Sequence, residues 1–141
     1  MAEMMVHVGL GWGVFKCPIK QQYIDFGMPI SYTTDAPIDT LEAITNALQH
    51  KTDLRLEYDA EDKGSWTICA DESKVLATRE EEKGTVSYEL DITKQDLMKQ
   101  LVNDILEDVD GWAAFCFDDD NLEQLKKQIT DLGSQCIALL G

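Results

Sequence analysis

Positive charge is scarce in this chain of 141 residues: 12 Lys and Arg stand against 27 Asp and Glu, a formal net charge of −15. Binding to nucleic-acid phosphates needs clustered Lys and Arg, as does attraction to an anionic membrane surface. Both are therefore excluded as direct partners. Long apolar runs are missing too. No stretch approaches the roughly 18–20 apolar residues of a membrane span, and residues 1–7 lack the basic and apolar regions of a signal peptide. The four cysteines, Cys17, Cys69, Cys116 and Cys136, include no close pair. Such spacing reads as free thiols packed in a reducing cytosol, so the expected location is cytoplasmic.

What is present is enough to build a core. The chain is 44% hydrophobic with three Trp, four Tyr and four Phe, too apolar for a disordered acidic tail. Its length suits a single domain, 1–141, that buries about two-thirds of its unfolded surface.

The middle of the chain alternates apolar and polar residues. Leu54, Leu56 and Tyr58 interleave with Arg55, Glu57 and Asp59, a period of two that marks a half-buried strand. The turn signal Asp62-Lys63-Gly64 leads to Ser65–Ala70, with Trp66, Ile68 and Ala70 on one face. A turn at residues 70–73 precedes a third strand at 74–78, and the acidic 79–84 loop precedes Val86, Tyr88, Leu90 and Ile92. Short strands joined by short polar turns predict an antiparallel meander over 53–92 with one wet face.

Three helices are predicted around it. Thr34 or Asp35 caps the first, at 37–49, where Leu41, Ile44 and Leu48 recur at helical spacing and Pro37 suits the first turn. Thr93, with Asp96 three residues on, opens the second. Its stripe is Leu97, Leu101, Val102, Ile105 and Val109, and it is expected to end before Gly111. Asp118–Asp120 cap the third, with Leu122, Leu125, Ile129 and Leu132 inward and Gly133 as its stop. Residues 134–141 read as a short strand or a last helical turn. In the N-terminal third, Val6, Val8, Leu10, Trp12 and Val14 alternate with glycines, as in an edge strand or a loop. The expected fold is α+β, an antiparallel sheet of about four to five strands with about three helices on one face.

Motifs for catalysis or cofactors do not survive inspection. Gly9, Gly11 and Gly13 miss the third glycine of the dinucleotide fingerprint, and no helix opens there. Asp108, Asp110 and Gly111 would place Leu106 first in a calcium loop, where no leucine can coordinate. Cys17 with His7 or His50 lacks the electropositive setting that stabilises a thiolate. No catalytic residue, cofactor or metal is expected.

Charge distribution is more telling. Residues 1–34 are neutral, with Glu3 and Asp25 against Lys16 and Lys20, so the whole surplus falls after them. Between Lys99 and Lys126 there is no Lys or Arg, while Asp104, Glu107, Asp108, Asp110, Asp118, Asp119, Asp120 and Glu123 all lie there. Acids without cations repel one another, a cost offset when a basic partner binds. The candidate partner-binding residues are Asp104, Glu107, Asp108, Asp110, Trp112, Asp118, Asp119 and Asp120. The competing reading makes these acids merely solvated and residues 111–117 a core strand.

In this acidic window, its compact size and its want of catalytic motifs, the chain resembles in general type the immunity proteins of bacterial toxin systems. The resemblance implies occlusion of a basic, nuclease-like toxin, with carboxylates standing where nucleic-acid phosphates would lie. Two other functions compete with it. One is an adaptor or nucleic-acid mimic that inhibits a DNA-binding protein. The other is a small enzyme or ligand-binding domain built on the neutral N-terminal third around His7, Trp12 and Tyr23. A homodimer stays open.

Overall fold

A computed structural model describes residues 5–9, 12–18, 25–31, 36–59, 65–81, 84–114 and 121–140, with side-chain surroundings for 36–58, 65–79, 84–114 and 121–140. The architecture is α+β. Strands β4 (Leu54–Asp59), β5 (Ser65–Ala70), β6 (Val75–Glu81) and β7 (Gly84–Leu90) form one antiparallel sheet in the order β4-β5-β6-β7. This is the meander that the alternation predicts. The register pairs Leu56 with Ile68 and Ile68 with Ala77, so apolar side chains stack on one face. Leu54, Leu56, Tyr58, Trp66, Ile68, Ala70, Val75, Ala77 and Leu90 are all buried there. Arg55 and Glu57 are exposed on the opposite face.

The N-terminal third holds more structure than its sequence suggests. In place of one glycine-rich edge strand there are three: β1 (Met5–Gly9), β2 (Trp12–Pro18) and β3 (Asp25–Ser31). They pair antiparallel in a second sheet, order β1-β2-β3. The Val–Gly alternation belongs to two strands, with Val6 opposite Val14 and Met5 opposite Phe15. Folding back sets Gly9 beside Trp12 and Gly13 beside His7. Strand β3 escapes the sequence reading because it carries Gly27 and Pro29, both poor strand formers. Pro29 is tolerated since β3 lies at an edge of its sheet.

The described residues contain four helices, one more than predicted: α1 (Ala36–His50), α2 (Lys94–Glu107), α3 (Val109–Ala114) and α4 (Leu122–Leu140). Helix α1 presents Ile38, Leu41, Ile44 and Ala47 to the core, with Pro37 in its first turn. It closes in a Schellman arrangement, in which the Thr52 N–H donates to Ala47 O at 3.1 Å and Lys51 takes φ 53°. Thr93 caps α2, its hydroxyl accepting from the Asp96 N–H at 3.2 Å. Ala36 starts α1; the expected caps Thr34, Asp35 and Asp118–Asp120 lie outside the described residues.

Two helical expectations are corrected. The stretch expected either to follow a helix end or to form a core strand is the short helix α3, which contains Gly111 and Trp112. Asp108 makes this possible by joining two helices. Its N–H donates to Ile105 O at 3.2 Å, closing α2, and its carboxylate accepts from the Gly111 N–H at 3.1 Å, opening α3. Helix α4 also runs straight through Gly133 to Leu140, so residues 134–140 are helical.

Gly133 serves packing instead of termination. A Cβ at this position would lie 2.8 Å from Leu106 Cγ and closer still to Cδ2, so α2 and α4 approach over a bare glycine. Gly133→Ala is expected to destabilise the fold. The helix-propensity gain of about 1 kcal/mol is outweighed by overpacking that typically costs about 1–3 kcal/mol. In a Leu106→Ala background the same substitution is expected to stabilise. Urea unfolding of the four chains of this cycle checks the reversal of sign.

One hydrophobic core joins the inner face of the β4–β7 sheet to Leu97, Met98, Leu101, Val102 and Ile105 of α2, Trp112 of α3, and Ile129 and Cys136 of α4. Three hydroxyls inside it are paired: those of Thr40 and Tyr58 share a hydrogen bond of 2.8 Å, and Thr45 donates to Leu41 O at 2.8 Å.

Candidate functional site

The described surface acids of the window lie at the junction where α2 ends, α3 turns and α4 begins. Glu107 lies at the last turn of α2, Asp108 at the joint, Asp110 in the first turn of α3 and Glu123 in the first turn of α4. All four are exposed. Read along the sequence, acids late in α2 oppose that helix's dipole. In the fold, Asp108, Asp110 and Glu123 also stand at helix N-termini, where negative charge is favoured.

A cation from outside the window enters this junction. Lys126 Nζ lies 3.4 Å from Asp110 Oδ1 and 3.3 Å from Glu123 Oε1. Hydrogen bonding to Glu123, and then to Asp110, raises the ammonium above the usual lysine range. The i,i+3 spacing of Glu123 and Lys126 is legible in the sequence, but the reach to Asp110 is a tertiary fact. Among the described residues, Lys126 pairs with two of the four exposed acids gathered here, Asp110 and Glu123.

Two candidate residues do not belong to the surface. Asp104 is only 4% exposed, and its carboxylate accepts from Gln100 Nε2 at 2.7 Å across one helical turn. It falls on the buried stripe beside Leu101 and Ile105 and presents no charge to a partner. Trp112 is 1% exposed and is among the largest fully buried side chains, so its ring belongs to the core. The helical periodicity that buries Leu101, Val102 and Ile105 carries position 104 inward as well, and Trp112 lies with Ala113 on the buried side of α3. The remaining candidates, Asp118, Asp119 and Asp120, lie outside the described residues, as do the side chains of His7, Trp12, Cys17 and Tyr23.

Elsewhere the chemistry-bearing side chains are dispersed. Among the described residues no group of three or more His, Cys, Asp and Glu side chains is placed to hold a metal ion. His50 is exposed at the end of α1. Cys136 is a free thiol in the core, 3.2 Å from Thr45 Oγ1 and 3.5 Å from Leu41 O, and burial pushes it above the usual thiol range. Cys69 is free and half-buried, with Arg55 Nη1 at 3.9 Å from its sulfur. The Arg79 guanidinium stacks over Trp66, 5.2 Å from the ring centroid. None of the described helices is long and apolar enough to cross a membrane.

An open cleft of about 320 Å³ lies between the β5–β6 turn and the start of α2. Asp71 organises its rim, accepting from Ser73 Oγ at 2.7 Å, Ser73 N–H at 2.7 Å and Lys74 N–H at 2.9 Å. These bonds, with the Ser73 hydroxyl foremost, hold the Asp71 carboxyl below its usual range. They account for its charge as turn chemistry. The chain matches no protein-family model, and no curated protein or solved structure shows significant similarity to it.

Proposed function

We propose that this chain is an acidic, non-catalytic protein-binding module that captures a basic protein, and that it acts as an immunity protein by covering the working surface of a cognate toxin. One observation supports the reading above the rest. At the α2–α3–α4 junction, four exposed carboxylates gather, two of them on the ammonium of Lys126, so acids outnumber cations among the described residues of this helix-anchored corner. Such a patch accelerates encounter with a basic surface and discriminates against acidic ones. The partner meets Glu107, Asp108, Asp110 and Glu123. Asp104 and Trp112 support this surface from beneath.

The test is affinity capture from the native host at low and moderate salt, with retained proteins identified by mass. A single basic protein, retained at low salt and released as salt rises, is the expected result. A nuclease-like or otherwise toxic partner fits the immunity reading. A DNA-binding regulator would transfer the module to the nucleic-acid-mimic class. Recovery of no basic protein by a folded bait refutes the proposal.

A further inference from the structure

The four-stranded sheet has one edge that the fold leaves unguarded. Among the described residues no strand pairs with β7 on the side away from β6, whereas the opposite edge, β4, lies against β3. Edge strands are usually blunted by a bulge, a proline or several charges. Strand β7 has no bulge and no proline. Its register with β6 runs unbroken from Gly84 opposite Glu81 to Leu90 opposite Val75. Thr85, Val86 and Tyr88 favour extended backbone, and Glu89 is the one charged residue of the strand. Every second residue of such an edge turns its N–H and C=O outward. Thr85 and Ser87 are exposed on the wet face, while Val86 and Tyr88 are half-buried on the core face, in register with Arg79 and the buried Ala77.

Negative charge lies where this edge ends. Beyond Leu90 the chain enters the cleft between the β5–β6 turn and α2, whose lining carries Asp71, Glu72, Glu89, Asp91 and Asp96 with Lys74 and Lys94. Lys94 pairs with Glu72 at 3.5 Å, and Lys74 sits in the turn that the Asp71 carboxylate organises. Asp91 and Asp96 are exposed and enter no ion pair with any described residue. They carry the surplus of that lining.

We propose that β7 is a docking edge for an extended basic segment of a partner protein, which adds a strand to the sheet and sets a Lys or Arg against Asp91 and Asp96. Two features select this occupant. Outward backbone groups along a seven-residue row receive a strand, with main-chain hydrogen bonds supplying the affinity. Exposed carboxylates at the end of that row favour a cation there. Apolar residues of the segment extend the core face beside Val86 and Tyr88 as cross-strand pairs. A second copy would bring a matching edge, but with it another net charge of −15 and the same two acids. Helix α2 spans 14 residues, or about 20 Å, and separates Asp96 in its first turn from Glu107 in its last. The edge is therefore distinct from the acidic junction and does not depend on the role proposed for it.

The test titrates the intact chain with the end-capped peptide Lys-Val-Thr-Val-Thr-Val-Lys, followed by calorimetry, amide NMR and hydrogen exchange. One control peptide carries glutamate in place of both lysines. Another carries proline at two adjacent central positions, which removes an N–H from each edge of the peptide strand. One-site saturation by the lysine peptide is expected, with exchange slowed at alternate amides of β7. The glutamate peptide should bind at least about tenfold more weakly, and the proline peptide should not saturate. Asp91→Asn combined with Asp96→Asn is expected to weaken the lysine peptide several-fold and to flatten its salt dependence. Ser87→Lys, at an exposed position, places on the edge the kind of charge that blunts natural ones, and should also weaken it. Circular dichroism confirms that both variants are folded. Absence of saturation at millimolar lysine peptide overturns the proposal. So does equal binding of the glutamate or proline peptide, or indifference to both variants. Amide changes confined to the α2–α3–α4 junction would overturn it while leaving the junction reading intact. Self-association through β7 that Ser87→Lys dissolves would assign the edge to a second copy and overturn it as well.

Discussion

Replacing Glu107, Asp108, Asp110 and Glu123 together by their amides is expected to slow association with the basic partner by about ten- to a thousandfold at low salt. The change should fall mainly on the association rate, because the patch acts through its field before contact is made. The dependence of that rate on ionic strength should flatten in parallel. Amides are chosen for a structural reason. Asn at 108 still offers a side-chain oxygen to the Gly111 N–H, now 3.1 Å from the aspartate, so the α2–α3 joint keeps its cap. Freed from Asp110 and Glu123, Lys126 becomes a local positive charge, which adds to the effect. Stopped-flow association across a salt series, with circular dichroism of the variant alongside, provides the measurement. An unchanged rate in a folded variant would remove the junction as the binding surface.

The sequence carries much of this surface and misplaces part of it. The missing cations between residues 99 and 126 are visible at once, and Glu107, Asp108, Asp110 and Glu123 do lie at one junction of helices. Burial of Asp104 is also implicit in the text, since it stands three residues after Leu101 on the stripe that runs through Val102 and Ile105. Lys126 is different. It lies sixteen positions from Asp110, and only the turn through α3 brings them together. A linear charge count therefore overstates the field. The joint at Asp108 hides for another reason: one aspartate closes one helix and caps the next, and Gly111 looks like a terminator when read without that second cap.

The same contrast separates the two sheets. Strands β4 to β7 announce themselves because each alternates over a core on one side and water on the other. In β1 to β3 that signal is blunted by glycines and prolines, although their cross-strand partners lie in adjacent hairpins. Gly133 is the converse case. Its composition signals a helix stop, but the close approach of Leu106 gives the glycine a packing role that no local pattern encodes.

Trp112 provides the sharpest separation of core from surface. Truncation to Ala is expected to destabilise the fold by about 3–5 kcal/mol, as for other fully buried large aromatics. That is a large share of the 5–15 kcal/mol by which domains are normally stable. Trp112→Phe keeps most of the ring and should lose far less. If Trp112 only supports the acidic junction from beneath, the Phe variant will bind the partner at the wild-type rate and with the wild-type salt dependence. An interface hot spot would behave otherwise, losing at least about 2 kcal/mol of affinity, roughly thirtyfold, from a variant that still folds. Urea unfolding and partner titration of both variants distinguish these outcomes. Lost affinity with retained stability in Trp112→Phe would mean that the ring leaves the core on binding. The partner surface would then extend to α3 itself, beyond the exposed carboxylates of its first turn.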